Sequence, residues 1–265
     1  MMCTDPIIEI SDLKTCFDNT FVHDGLNLTV NRGEVLGIVG GSGSGKTTLL
    51  RAILALNRPL SGSIRIFGHE LMTATRETLL AIQRRWGVLF QQNALFSSLN
   101  LQENVAFPLH EHTDLDSASI NQLALLKILM AGLPQTSAQK YPSELSGGMQ
   151  KRAGLARAIV MDPELIFLDE PTAGLDPNTA AGFDELILNL QQTMGLTIVM
   201  ITHDLDSLWR VTDRVAFLGR GVVLANEPMA KLVVNPDPLI HEFFQGARGR
   251  IAEGTYLSED GNHGN

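Results

Sequence analysis

The sequence predicts an α/β fold on a largely parallel sheet, and three observations predict it. Short apolar runs of strand length alternate with segments of helical pattern, the order that buries a parallel sheet between helices. One such run, 35–39, ends in the glycine-rich loop Gly40-Gly41-Ser42-Gly43-Ser44-Gly45-Lys46-Thr47, which opens a helix. Another, 165–168, ends in the acidic pair Asp169-Glu170, and between the two features lies the turn Ser146-Gly147-Gly148.

Taken in order, residues 7–10 and 26–30 read as strands, with Gly25 and Asn31-Arg32-Gly33 as turns. The run 35–39 is a strand, 46–56 a helix, 63–67 a strand, 79–85 a helix and 87–90 a strand. From Asn93 the pattern changes. Residues 117–130 read as a helix ending at Gly132 and Pro134, and 150–160 as a helix after the Ser-Gly-Gly turn, so 93–160 is a helical insert. Strand patterns return at 165–168, 197–201, 215–218 and 222–225, with a helix over 179–194 between the first two. Beyond Gly246 the residues are small and polar, and the tail is expected to be mobile. No internal repeat or sustained heptad is visible.

A chain of 265 residues that is 44% hydrophobic suffices for one large domain, or a core with a small subdomain. It has no apolar run of about 18 residues, so no membrane span is expected. The start Met1-Met2-Cys3-Thr4-Asp5 lacks a basic stretch followed by an apolar one, so no secretory signal is expected. Cys3 and Cys16 are the only cysteines and have no metal-ligand spacing, which fits a reducing cytosol. A formal net charge of -9 gives no general basic footprint, and no nucleic-acid partner is expected.

The glycines of the 40–45 loop let backbone N–H groups turn inward around phosphate oxygens, and the following helix adds its positive N-terminal end. Lys46 is placed to reach the β- and γ-phosphates and Thr47 to put its hydroxyl on Mg²⁺. Asp169 is placed to meet the same Mg²⁺ at a strand's carboxyl end, and Glu170 to orient or deprotonate an attacking water. Ser146-Gly147-Gly148 forms a second anion-binding helix start. A chain that already holds the phosphates with its own loop has little use for another, so Ser146 is expected to face the γ-phosphate held by a second copy.

With these motifs in place, the chain resembles an ABC-type ATPase subunit over about residues 7–235. Leu145-Ser146-Gly147-Gly148-Met149-Gln150 resembles the family's signature motif, with Met149 where Gln is commoner. The resemblance implies a P-loop NTPase (RecA-like) core with an N-terminal antiparallel β subdomain and the inserted α-helical subdomain, 93–160. It implies ATP and Mg²⁺ as ligands, with Gly40, Gly41, Ser42, Gly43, Ser44, Gly45, Lys46, Thr47 and Thr48 on the phosphates. Gln91, or its neighbour Gln92, matches the Q-loop that senses Mg²⁺ and the transmembrane partner. Ala173-Gly174-Leu175-Asp176 matches the D-loop at the dimer interface, and His203 the switch histidine on the γ-phosphate. Phe17 sits where the family stacks an aromatic on adenine, with Phe21 the competing candidate. Residues 236–265 would be a C-terminal extension, mobile after about 246.

A narrower resemblance runs through Trp86-Gly87-Val88-Leu89-Phe90-Gln91, Ala94-Leu95-Phe96, residues 105–113, Asn235-Pro236-Asp237-Pro238 and Phe243-Phe244-Gln245-Gly246. These segments are similar to ATPases of bacterial phospholipid transporters, the Mla or MCE systems. That resemblance implies transmembrane permease subunits, an MCE-domain lipid carrier, a small STAS-type cytoplasmic subunit, and residence on the cytoplasmic face of the bacterial inner membrane. His110 and His112 read as a solvated loop, not metal ligands. Two alternatives stay open: the ATPase of a small-solute importer, and a soluble ABC ATPase such as an assembly factor. A non-hydrolysing scaffold is disfavoured because Glu170 and His203 are both present.

Overall fold

The architecture, seen in a computed structural model that describes residues 5–17 and 20–245, is two sheets and a cluster of helices. The mobility expected after residue 246 lies outside the described residues.

The first sheet is antiparallel, in the order β2-β1-β4-β5, from β1 (Pro6–Phe17), β2 (Thr20–Asn31), β4 (Ser61–Ile66) and β5 (His69–Glu70). β1 and β2 are longer than expected because Gly25 does not turn the chain. The register steps from Leu13↔Leu26 to Lys14↔Asp24, and Gly25, at φ 81°, is the extra residue of a bulge inside β2. Ile8, Ile10, Leu26, Leu28 and Val30 alternate onto the buried face.

The second sheet has six strands in the order β10-β9-β3-β8-β7-β6, and only the β9–β10 pair is antiparallel. Its members are β3 (Val35–Val39), β6 (Trp86–Leu89), β7 (Leu165–Asp169), β8 (Thr197–Ile201), β9 (Arg214–Gly219) and β10 (Val222–Glu227). β3 and β8 are buried at every position, the mark of strands covered on both faces. Helices α1 (Lys46–Ile53), α2 (Arg76–Gln83), α6 (Pro177–Met194) and α7 (Leu205–Val211) accompany this sheet, and α8 (Met229–Leu232) and α9 (Pro238–Gln245) follow it. Residues 238–245 are thus a docked helix: Phe244 is buried, and Phe243 meets Phe217 of β9 edge-on at 5.3 Å.

Between β6 and β7 come α3 (Leu101–His112), α4 (Ser117–Met130) and α5 (Gly147–Ala158). Leu101, Val105 and Leu109 of α3 bury with Ile120, Ala124 and Ile128 of α4 and Ala153 of α5. The loop into α3 is pinned by the buried Asn104. Its Oδ1 accepts from the Phe96 N–H at 2.8 Å, and its Nδ2 donates to the carbonyls of Phe96, Leu99 and Asn100. His110 and His112 lie in the last turn of α3, exposed to solvent but on a helix and not a loop. Among the described residues no helix is long and apolar enough to cross a membrane.

Candidate functional site

The strand order arranges the candidate residues before any side chain is considered. β3, β8, β7 and β6 are parallel neighbours, so their carboxyl ends form one row about 4.8 Å apart. Along that row stand the phosphate loop after β3, His203 after β8, Asp169 and Glu170 at the end of β7, and Gln91 after β6. Ligands of open α/β sheets sit outside that edge.

The loop reaches its helix through Gly45, the cap of α1, in the left-handed conformation at φ 95°. A Cβ there would run into the His23 ring beneath it. His23 is fully buried and its Nδ1 is 2.7 Å from the Thr15 hydroxyl; burial pushes its pKa down to about 4, so the ring is neutral near pH 7. Lys46 folds back over the loop, donating to the carbonyls of Gly40 at 2.8 Å and Gly41 at 3.0 Å. Burial pushes the Lys46 ammonium pKa down, and the carboxylates of Glu170 and Asp169 oppose that. Thr47 and Thr48 occupy the first turn of α1.

Burial, reinforced by the neighbouring Glu170 charge, pushes the Asp169 carboxyl up. Glu170 holds a backbone that side chains rarely adopt, φ 49°. Its N–H donates to the Ile201 carbonyl at 2.8 Å, and its Oε1 is 2.9 Å from His203 Nδ1. The two residues meet across neighbouring strand ends.

Gln91 and Glu170 are joined by a residue that sequence reasoning missed. Lys151, on α5 and buried, donates from Nζ to the carbonyl of Gln91 at 2.7 Å and to that of Glu170 at 3.1 Å. Arg157, one helix face further on, donates to the carbonyls of Asn93 and Ala94, both at positive φ. A basic residue five positions after the signature serine was the only signal available for Lys151.

Ser146 is the N-cap of α5, accepting from the Met149 N–H at 3.3 Å, with Gly147 and Gly148 in the first turn. Ser146 and Gly147 are exposed, open to a ligand from outside the chain. Asp176 caps α6 by accepting from the Asn178 and Thr179 N–H groups, and the Thr179 hydroxyl and N–H hold its carboxyl below the usual range. The Phe17 side chain lies outside the described residues; Phe21, one strand over, is 55% exposed.

Residues 23–173 match the ABC transporter family. The chain belongs to that family. It is an ATP-binding and ATP-hydrolysing cassette, and the expected fold is the one observed. The cassette is 38% identical over 248 residues to the intermembrane phospholipid transport system ATP-binding protein MlaF of Escherichia coli, covering 94% of this chain and 90% of that one. It is equally 38% identical over 241 residues to the probable ribonucleotide transport ATP-binding protein mkl of Mycobacterium tuberculosis, covering 91% of this chain and 67% of that one. Among solved structures it resembles the dimeric post-hydrolysis state of the ATP-binding cassette MJ0796 bound to ADP and Pi. That likeness has a TM-score of 0.76 and 30% identity, over 83% of this chain and 98% of the other.

Proposed function

We propose that this cassette powers phospholipid transport between the inner and outer membranes of a bacterium, working on the cytoplasmic face of the inner membrane. The observation that carries the cargo assignment is end-to-end similarity to MlaF: the match takes in 90% of that protein, against 67% of mkl. The assembly would comprise a second copy of this chain, permease subunits, an MCE-domain lipid carrier and a small STAS-type subunit. The cassette itself supplies no membrane-crossing helix among its described residues.

In the proposed site, Phe17 or Phe21 stacks on adenine, worth about 1–3 kcal/mol. Residues 40–45, Lys46, Thr47 and Thr48 hold the phosphates. The Thr47 hydroxyl, Asp169 carboxylate and Gln91 amide oxygen form an all-oxygen donor set that fits Mg²⁺, and the raised Asp169 carboxyl beside Glu170 is a charge pair such a cation neutralises. When bound, Mg²⁺ offsets the negative charge of the phosphates. Glu170 orients water for attack on the γ-phosphorus and takes its proton as the bond to the β–γ bridging oxygen breaks and ADP leaves, while His203 holds Glu170 and faces the γ-phosphate. Ser146, Gly147 and Gly148 of the second copy close the site, with Asp176 at the seam. Positioning and preorganised charge supply the catalysis.

The cargo is tested by purifying the tagged chain from its native membranes in mild detergent and identifying proteins and lipids by mass spectrometry. A permease, an MCE-domain protein and bound phospholipid are expected. A solute permease, or soluble partners alone, would overturn the cargo and leave the ATPase standing.

A further inference from the structure

Lys151 has a place in the site that its position in the sequence does not announce. It is 4% exposed, on the helix that Ser146 caps, yet its ammonium reaches the carbonyl oxygens of two separate loops. One belongs to Gln91, just after β6, and the other to Glu170, just after β7. A buried ammonium is costly unless it is well paired, so this placement is not incidental. Its surroundings repay the cost: two charge-assisted hydrogen bonds to backbone oxygen, and the carboxylates of Asp169 and Glu170 close enough to oppose the downward push of burial on its pKa.

The Glu170 contact is the informative one. A glutamate at φ 49° is in the left-handed region, which L side chains rarely adopt, and persists only where neighbours over-determine it. Here the residue is held on both sides, its N–H on the Ile201 carbonyl at 2.8 Å and its own carbonyl on Lys151. That backbone sets where the carboxylate points, and the carboxylate meets His203 at 2.9 Å.

The geometry points to Lys151 as a positioning residue for ATP hydrolysis, one that locks the strained backbone of Glu170 to the signature helix and ties the Gln91 loop to the same point. The role rests on the reading of Glu170 as the hydrolytic carboxylate. Lys151 touches neither phosphate nor water in this scheme; it acts through Glu170. Because Ser146 begins the same helix, α5 carries both the residue offered to a second copy and the ammonium that holds the Glu170 and Gln91 carbonyls.

The test is a double-mutant cycle in the full-length chain, reading ATP turnover, KM for ATP, binding of a fluorescent ATP analogue and Tm. Lys151→Met keeps length and apolar stem and removes the cation. Turnover is expected to fall by roughly 10- to 100-fold, the scale of a misplaced catalytic group, with KM and analogue binding within about 3-fold of the parent. Lys151→Gln, a neutral donor able to bond one carbonyl, is expected to fall between the two, and serves if the methionine variant does not fold. In the Glu170→Gln background, Lys151→Met is expected to lower turnover no further, because the group it positions is already lost. Turnover within about 2-fold of the parent in both single variants, or a full multiplicative loss in the double variant, would overturn the role. Unchanged turnover in Glu170→Gln alone would instead remove Glu170 from hydrolysis and the proposal with it, which separates the two failures.

Discussion

His203 Nδ1 lies 2.9 Å from Glu170 Oε1, joining the ends of two parallel strands that pair along their whole length. The Glu170 side chain is 15% exposed and that of His203 56%, so the contact has a sheltered carboxylate and an open ring. A neutral ring donating from Nδ1 leaves Nε2 as an acceptor, whereas contact with a γ-phosphate needs a donor. The Glu170–His203 contact and a phosphate contact at Nε2 together therefore require a protonated ring or a rearranged pair.

Glu170→Gln keeps the size of the side chain and removes its ability to take a proton. ATP binding should persist, because Lys46 and the 40–45 loop are untouched, while turnover falls by about 10²–10⁴-fold. Phosphate release alongside binding of a labelled nucleotide checks it; turnover within a few-fold of the parent would take Glu170 out of the reaction.

His203→Ala removes both the hold on Oε1 and the nitrogen proposed to face the γ-phosphate. A loss of about 10²-fold in turnover is expected, the scale for one preorganised donor, with nucleotide affinity little changed. A change confined to affinity would reassign His203 to binding.

His23 gives a pH signature. Its pKa is about 4 in the folded chain against an ordinary 6.5, so as pH falls the unfolded chain takes up a proton first. The stability tied to the neutral ring is complete above 6.5 and is lost as pH falls toward 4. Melting curves of the parent and His23→Gln should therefore converge or cross over that range, and parallel curves would contradict the assignment.

Asn104 holds four backbone groups of the loop into α3 with one side chain. Asn104→Leu leaves the Phe96 N–H and the Leu99 carbonyl without their partner, at about 1–3 kcal/mol for each buried group so left, while the Asn100 and Phe96 carbonyls keep the N–H groups of residue 104 and Leu99. A urea midpoint unchanged from the parent would show that the loop finds other partners.

What the sequence disclosed follows from how local each signal is. β3, β8 and α4 were legible to the residue, the strands as apolar runs with clear turn signals and the helix with Gly132 just past its end. The glycine loop between β3 and α1, and the place of Asp169-Glu170 at the end of β7, were legible because each is contiguous in the chain. Helix α3 was not, because Pro108 lies inside it; the Asn100-to-Glu103 capping box and the Leu101, Val105, Leu109 stripe were the usable signals. Gly25 misled because a bulge and a turn ask for the same backbone freedom. Lys151 was invisible because it is defined by two carbonyls, 60 and 19 residues away.

The seam between two copies gives a further expectation. Arginine at position 146 costs about 1 kcal/mol as a lost N-cap, so Ser146→Arg should fold and bind nucleotide. It should not hydrolyse, because a bulky cation then occupies the face offered to the other copy. Full activity would place Ser146 outside the site.

The most direct test of the central claim, that each ATP is enclosed by two copies, is turnover in an equal mixture of the Ser146→Arg and Glu170→Gln chains, unfolded or dissociated together and reassembled. Each alone should be nearly inactive. In a head-to-tail pair, half of the dimers are mixed and each mixed dimer has one intact site, so about a quarter of the parent activity should return. No recovery, with both chains folded and nucleotide bound, would mean that Ser146 and Glu170 serve the same site from one chain, and that the nucleotide is not shared between copies.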